Sequence, residues 1–356
     1  MKKTALIMAG GRGERFWPRS RKQLPKQFLS LTDDGKTMIQ LTVERILPLV
    51  DQEDIYIATN RDYLPLIREQ LPLIPESNIL LEPVGRNTAP CIAAGAALIR
   101  TKYEDALMMV LPSDHLIRYN GMFQTTLKEA CEVAEKGDNL VTIGITPDHP
   151  ETGYGYIRFA GESAQGRAFA VDSFVEKPTL EKAKEYLASN DYLWNSGMFV
   201  WKISSVMKRF RELMPEVYEG AKQLQEAFAN GSGEETLQKI FPTFPSISID
   251  YGIMEKSQNI YTIPGAFGWD DVGSWLAVER IRQSNESGNI VSGNVITIDT
   301  RNCIIQAQGK LIATVGLKDL VIVDTEDATL ICDKASTGDI KKVLENLRIC
   351  NRNEYL

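Results

Sequence analysis

Five short runs rich in Ile, Leu, Met and Val punctuate the first 145 residues: 4–8 (TALIM), 54–59 (DIYIAT), 79–82 (ILLE), 106–111 (ALMMVL) and 140–145 (LVTIGI). Each is too short for a buried helix and lacks the strict alternation of a strand with one wet face. Between them, helical spacing predicts helices near 37–50, 61–70, 88–102 and 120–136. Buried strands that alternate with helices leave few folds open, and the pattern predicts an α/β chain with a mainly parallel sheet wrapped by helices on both faces. After residue 150 the rhythm changes. Residues 153–160 and 168–175 read as longer, more polar strands, and helices are expected at 179–189, 203–213 and 215–229, with ANGSGEE (229–235) as an exposed turn. From 289 to 333 the chain is short strands and turns (NVITID, CIIQAQG, LIATVG, LVIVDT, ATLICD), closed by a helix over 336–348. The shift at SNESGN predicts a catalytic-sized α/β domain over 1–285 and a small β-rich C-terminal domain with a closing helix over 286–356. The short strands keep no strict period, so no repeat number is assigned.

Composition narrows the function. With 356 residues, 43% of them hydrophobic, a sizeable core is available. The net charge of −7 argues against a chain-wide nucleic-acid surface, so no nucleic-acid partner is expected. No segment approaches the length of an apolar span, and no membrane partner is expected. The start MKKTALIMAGGRG has an apolar stretch of only about six residues before glycines and arginines, too short for a secretory leader. Cys91, Cys131, Cys303, Cys332 and Cys350 are odd in number, scattered and without a CxxC, which predicts reduced thiols and a cytoplasmic location. Cys91 and Cys131 fall on apolar helical faces and read as buried structural thiols.

Against this acidic background, residues 6–28 (LIMAGGRGERFWPRSRKQLPKQF) gather six basic side chains within fifteen residues, directly after the first apolar run. In a wound sheet, ligands sit beyond the carboxyl ends of the strands, where this loop lies. The dinucleotide fingerprint GxGxxG fails because Phe16 stands where the third glycine belongs, which disfavours an NAD-dependent oxidoreductase. No Walker loop is present, and SLTDDGKT (30–37) lacks the required first glycine. What remains is a GGxGxR loop followed by PKQF. Gly10, Gly11 and Gly13 let backbone N–H groups converge on phosphate oxygens, and Arg12, Arg15 and Lys26 can neutralise a triphosphate.

The same segment resembles the signature loop of the sugar-nucleotide pyrophosphorylases. The likeness covers nearly the whole chain and recurs in order: EPVGRNTAP (82–90), LPSDH (111–115), TGYGYI (152–157), FVEKP (174–178), WNSGMF (194–199), IDYGIMEK (249–256) and GWDDVGSW (268–275). It implies a Rossmann-like sheet of the nucleotide-diphospho-sugar transferase type. It also implies a transferase that joins GTP and α-D-mannose 1-phosphate into GDP-mannose and pyrophosphate, with Mg²⁺ as cofactor and a homodimer as its assembly. Longer relatives carry a fused isomerase domain for which this chain ends too early, so isomerase activity is not expected. Two alternatives stay open: the same chemistry on another hexose or heptose 1-phosphate, and a non-catalytic sugar-nucleotide sensor or regulatory subunit.

In the implied reaction a phosphate oxygen attacks the α-phosphorus of GTP. The nucleophile is already ionised, so positioning and charge neutralisation must do the catalysis. The two histidines, His115 and His149, fit a site without a nucleophile–base pair. The resemblance and the residue types together assign Arg15, Lys26 and Lys177 to catalysis. Asp114 lies just past a buried strand and is a candidate metal ligand, and the resemblance maps the second ligand to Asp271. Asp270 then reads as a cap or supporting group, and either ligand candidate could instead cap a helix. The nucleoside pocket is implied to include Glu82 and Arg86. Asn87 or Thr88 could equally cap the helix that follows. Backbone carbonyls near Ala9 or Pro112 could read the guanine. For the sugar phosphate, the candidates are the Gly155 N–H, Glu176, Lys177, the Asn195 amide and Asp250, the last also a candidate cap. Neighbouring strand residues point to opposite faces, so Glu176 and Lys177 can serve one pocket only if the segment is irregular.

Overall fold

A computed structural model describes residues 1–11, 13–159, 161 and 166–356. By contacts the chain forms two compact units that interleave along the sequence. The first comprises 1–10, 43–113 and 117–269, and the second comprises 11–42, 114–116 and 270–356.

The first unit is built on a nine-stranded sheet. Its strands are β1 (Lys3–Ala9), β2 (Ile55–Asn60), β3 (Ile79–Glu82), β4 (Leu107–Pro112), β5 (Leu140–Ile145), β6 (Tyr156–Phe159), β7 (Phe169–Val175), β8 (Tyr192–Lys202) and β9 (Ile260–Gly265). They lie in the order β3-β2-β1-β4-β8-β5-β9-β7-β6. The runs read as buried strands are parallel neighbours: Ala5 pairs with Ile55, Ile57 with Ile79, and Lys3 with Leu107. Two strands oppose the common direction. β8 lies antiparallel between β4 and β5, and β7 lies antiparallel to β9 and β6. β8 escapes a reading by apolar runs because Asn195, Ser196 and Gly197 interrupt its buried Trp194, Phe199, Val200 and Trp201.

Helices cover both faces of this sheet. Leu6, Met108 and Val110 share one core with the helix Thr88–Ile99 and with Phe210, Val217 and Leu224 of the later helices. Ile7, Met109 and Leu111, one step along the same strands, point to the other face, as the two-residue period of a strand requires. The helix Asn120–Glu135 packs on β4, β5, β8 and β9 and places none of its buried side chains in the first core. The helix Thr88–Ile99 is buried almost all round and built of small residues; a Cβ on Gly95 would run into the Leu6 side chain, so the helix lies close on β1. The expected turn at 229–235 is tighter than read: one helix ends at Asn230, Gly231 takes φ 85°, and the next begins at Gly233.

In the second unit one core joins the basic loop to the C-terminal strands and the closing helix. Phe16, Trp17, Leu29, Val272 and Trp275 pack with Ile290, Ile304, Val321, Ile340 and Leu344. The strands Ile290–Ser292, Ile304–Gln306, Leu320–Asp324 and Thr329–Asp333 form one sheet, and Val295–Ile298 pairs with Ile312–Val315 in another. Ile290, Ile304 and Val321 are register partners, so each short strand buries apolar residues against the next. The closing helix begins later than its spacing suggests: Asp333 accepts the Ala335 N–H and starts a 3₁₀ stretch, and the α-helix runs Ile340–Ile349. Among the described residues, no helix is long and apolar enough to cross a membrane.

Candidate active site

In the second unit, the glycine loop is shaped by what lies behind it. Gly13 has φ 58°, a left-handed conformation that favours glycine. A Cβ at this position would also overlap the Lys26 Cβ and come within 3.0 Å of the Lys26 backbone nitrogen. The Gly13 carbonyl accepts the Phe16 N–H at 3.1 Å and opens a 3₁₀ turn over Glu14–Phe16. Buried Gln27 donates to the Gly11 carbonyl at 3.0 Å and fixes the other side of the turn. Sequence reasoning passed over Gln27, although it lies inside the quoted PKQF segment. Arg12 lies outside the described residues, and Arg15 is exposed, its guanidinium donating to the Gly273 carbonyl at 3.3 Å.

Lys26 follows Pro25 at the start of another 3₁₀ turn, and its side chain is 5% exposed. A buried ammonium is costly unless paired and hydrogen-bonded. Here it donates to Asp114 Oδ2 at 2.9 Å and to the Asp271 carbonyl at 2.6 Å, and it lies 6.0 Å from the centre of the Phe16 ring. Burial pushes the Asp114 carboxyl up, but the Lys26 ammonium and His115 outweigh it and hold the carboxyl below its usual range. Asp114 therefore stays ionised at neutral pH, and it pairs with a lysine rather than capping a helix.

The segment carrying Asp271 is strained. Asp270 is held by the Arg280 guanidinium and accepts the Val272 N–H at 2.8 Å. That brace holds Val272 at φ 50°, a conformation a β-branched residue rarely adopts and one that concentrates at functional sites. Asp270 is thus committed to bracing this turn. The Asp271 carboxylate lies over Gly273, where a Cβ would come 2.7 Å from Oδ2. The helix that follows, Ala277–Ile281, has no side-chain cap. Lys26 so gathers Asp114 and Asp271, which stand 88 and 245 residues away in the chain.

Two further groups lie in the first unit. At the end of β3, Glu82 is 7% exposed, and its Oε1 has no hydrogen-bond partner among the described residues. Burial pushes its pKa up to about 7, against a smaller opposing effect of the hydrogen bond from the Cys91 thiol. A Cβ on Gly10 would lie 3.3 Å from Glu82 Oε2, so the glycine backbone passes directly over this carboxylate. Asn87, at φ 66°, caps the helix Thr88–Ile99: its Oδ1 accepts the Thr88 N–H at 2.8 Å, and Thr88 Oγ1 accepts the Ile249 N–H. Arg86 is turned to the Pro242 carbonyl, and the Ala9 carbonyl already accepts the Thr59 hydroxyl. Pro112 closes β4 beside Met8.

The second group surrounds Gly155. The Asn195 N–H donates to the Gly155 carbonyl at 2.8 Å, and a Cβ on Gly155 would lie 2.5 Å from Glu176 Oε2. Asn195 Nδ2 donates to Asp250 Oδ1 at 2.7 Å. Ser248, and not Asp250, caps the turn Ile249–Gly252. Burial pushes Asp250 up to about 6, partly offset by the Asn195 hydrogen bond and reinforced by Glu176. β7 ends at Val175 and Lys177 has φ 45°, so the strand is irregular where Glu176 and Lys177 would otherwise face apart. The Lys177 side chain is 63% exposed, and its ammonium is 3.1 Å from Glu176 Oε1. Tyr154 of TGYGY, a tyrosine expected to wall the site beside Gly155, stands edge-on to Trp194 and Trp269.

Residues 4–287 match the nucleotidyl transferase family, and residues 293–347 match the MannoseP isomerase/GMP-like beta-helix domain. The chain is 41% identical to the mannose-1-phosphate guanylyltransferase of Escherichia coli (strain K12) over 98% of its own length and 74% of that protein. It is 39% identical to the mannose-1-phosphate guanylyltransferase of Salmonella montevideo, over 99% and 75%. A crystal structure from Thermus thermophilus, described as a mannose-1-phosphate geranyltransferase, superposes with a TM-score of 0.88 at 36% identity, covering 98% of this chain and 100% of that one. The chain belongs to the nucleotidyl transferase family, in the branch of the mannose-1-phosphate guanylyltransferases.

Proposed function

We infer that this chain transfers the guanylyl group of GTP to mannose 1-phosphate, forming GDP-mannose and releasing pyrophosphate. The observation that carries the reading is Lys26, a buried ammonium fixed beneath a glycine turn and braced by Asp114. The sugar phosphate arrives ionised, so no side chain need take its proton. Its oxygen forms the bond to the α-phosphorus as the bond from that phosphorus to pyrophosphate breaks, and the electron pair leaves with pyrophosphate. The Gly11 and Gly13 backbone N–H groups donate to the polyphosphate oxygens, and Lys26 and Arg15 neutralise their charge. Lys177, exposed on a strained turn, draws in the sugar phosphate, while Glu176, Asn195, Asp250 and the Gly155 backbone accept or donate to sugar hydroxyls.

Members of this family generally work with a divalent metal. The residues here suit magnesium: two hard carboxylates, Asp114 and Asp271, and among the described residues no group of three His, Cys, Asp or Glu that would hold an ion unaided. Magnesium commonly takes one or two carboxylates and completes its shell with phosphate oxygens and water. When bound, it neutralises phosphate charge and aligns the reacting groups. Free thiols among all five cysteines agree with a cytoplasmic location.

We assign Glu82 to guanine. Its unpartnered Oε1, with Oε2 beneath the Gly10 backbone, offers two acceptors for the N1–H and amino group. Those donors favour the carboxylate, so GTP binding lowers a pKa that starts at about 7 and releases a proton near neutral pH. Calorimetry of GTP binding at pH 7 in buffers of different ionisation enthalpy measures that proton. Glu82→Gln removes it and weakens the preference for GTP over ATP by about 10²-fold. Without nucleotide, the sign reverses for stability. The folded state holds this proton more tightly than the unfolded value of 4.5, so stability falls as pH rises from 4.5 to about 7 and is flat above.

The reaction is tested by supplying GTP labelled at the α-phosphate. Label should appear in GDP-mannose, with one pyrophosphate released per product. Label left in GMP or GDP instead would mean hydrolysis, and would overturn the assignment.

A further inference from the structure

We propose that Lys26 acts as a resident cation on Asp114, keeping the metal position closed in the free protein until a polyphosphate arrives. The proposal rests on the reading of Asp114 as a metal ligand. The Lys26 ammonium touches Asp114 Oδ2 at 2.9 Å and the Asp271 carbonyl at 2.6 Å. It is therefore fixed between the two segments that would supply the metal's carboxylates.

The lysine cannot simply swing away. Its side chain is 5% exposed, its Cβ lies against the Gly13 backbone, and the Phe16 ring faces its ammonium. A divalent ion on Asp114 would face a fixed positive charge across a few ångströms of shielded space, where like charges repel strongly. Among the described residues no cluster of three ligating side chains offsets that repulsion. A triphosphate changes both terms at once. Its oxygens complete the metal's shell, and its charge gives the ammonium a second partner. Metal and nucleotide therefore bind together, and the fixed Lys26 ammonium shares its charge between Asp114 and phosphate as they do.

The test is Mn²⁺ binding followed by electron paramagnetic resonance on nucleotide-free protein, with thermal melting by circular dichroism as the check of folding. Lys26→Met should bind Mn²⁺ on the order of tenfold more tightly than wild type or more. Lys26→Arg, which keeps the charge, should bind as weakly as wild type, and Lys26→Gln serves where the methionine variant does not melt cooperatively. Equal affinities in wild type and the folded neutral variants would overturn the proposal. Asp114→Asn, measured with the non-cleavable α,β-methylene analogue of GTP, separates this inference from its premise. If that variant keeps the metal, Asp114 is not a ligand and the premise fails. If it loses the metal while the neutral variants show no gain, the premise stands and the gating role falls.

Discussion

Asp114→Asn should lower kcat/KM for GDP-mannose formation by about 10³-fold or more while leaving a cooperative melt. Two consequences of the geometry produce this result. The carboxylate meets the Lys26 ammonium at 2.9 Å, and the ammonium's other hydrogen bond goes to the neutral Asp271 carbonyl. An amide at position 114 keeps the shape but removes a charge, so the ammonium loses its counter-ion and the site loses a hard anionic oxygen. The unpaired ammonium lowers the melting temperature, but the melt stays cooperative because the surrounding core of Phe16, Trp17, Leu29, Val272 and Trp275 does not include this side chain. Steady-state rates at saturating Mg²⁺ with melting curves give both quantities. Turnover within tenfold of wild type would remove Asp114 from the chemistry.

Gly13→Ala should be the most damaging single methyl group in the loop. At φ 58° an alanine is strained by about 1 kcal/mol. The larger effect is the overlap of the new Cβ with the Lys26 Cβ and its close approach to the Lys26 backbone nitrogen, neither of which can rotate away. The loop or the lysine must move, so both stability and turnover should fall, turnover by about 10²-fold. Gly11→Ala is the control in the same loop: its Cβ would meet nothing within 4 Å. It should leave the melting temperature unchanged and, if phosphate approaches the Gly11 backbone, raise the KM for GTP alone. Equal loss of stability in the two variants would contradict this account of the turn.

The sequence carried the wound sheet well because strands buried on both faces leave an unbroken apolar record, as in β1, β4 and β5. It hid β8 for the opposite reason. Asn195, Ser196 and Gly197 break the pattern where the strand turns to a candidate sugar site, so local periodicity gave way to chemistry. The helix expected over 37–50 stops at Ile46, two residues before Pro48, since a residue preceding proline is pushed out of helical geometry. The mainly parallel sheet is as expected, but which two strands reverse was not legible, because strand direction depends on connections that periodicity does not encode.

The candidate site was legible as residue types and illegible as geometry. Nothing near Lys26 in the sequence says that it is buried, since its partners stand 88 and 245 residues away. The conflict between Glu176 and Lys177 could be stated from strand geometry, but its resolution, a positive φ at Lys177, has no local signature. Asn87 offered a cap and a ligand contact equally, and its side chain holds the Thr88 N–H. The resemblance, not the residue types, singled out Asp271 over Asp270, and in the structure Asp270 is taken up by the Arg280 pair.

The most direct test of the central claim is a pyrophosphate-release assay on purified protein with Mg²⁺, crossing the four nucleoside triphosphates with mannose, glucose and heptose 1-phosphates. The account predicts release with GTP and mannose 1-phosphate, and none of comparable rate with any other pair. Efficient release with a different pair would contradict the assigned specificity. No release from folded protein that binds GTP would contradict the enzymatic reading itself.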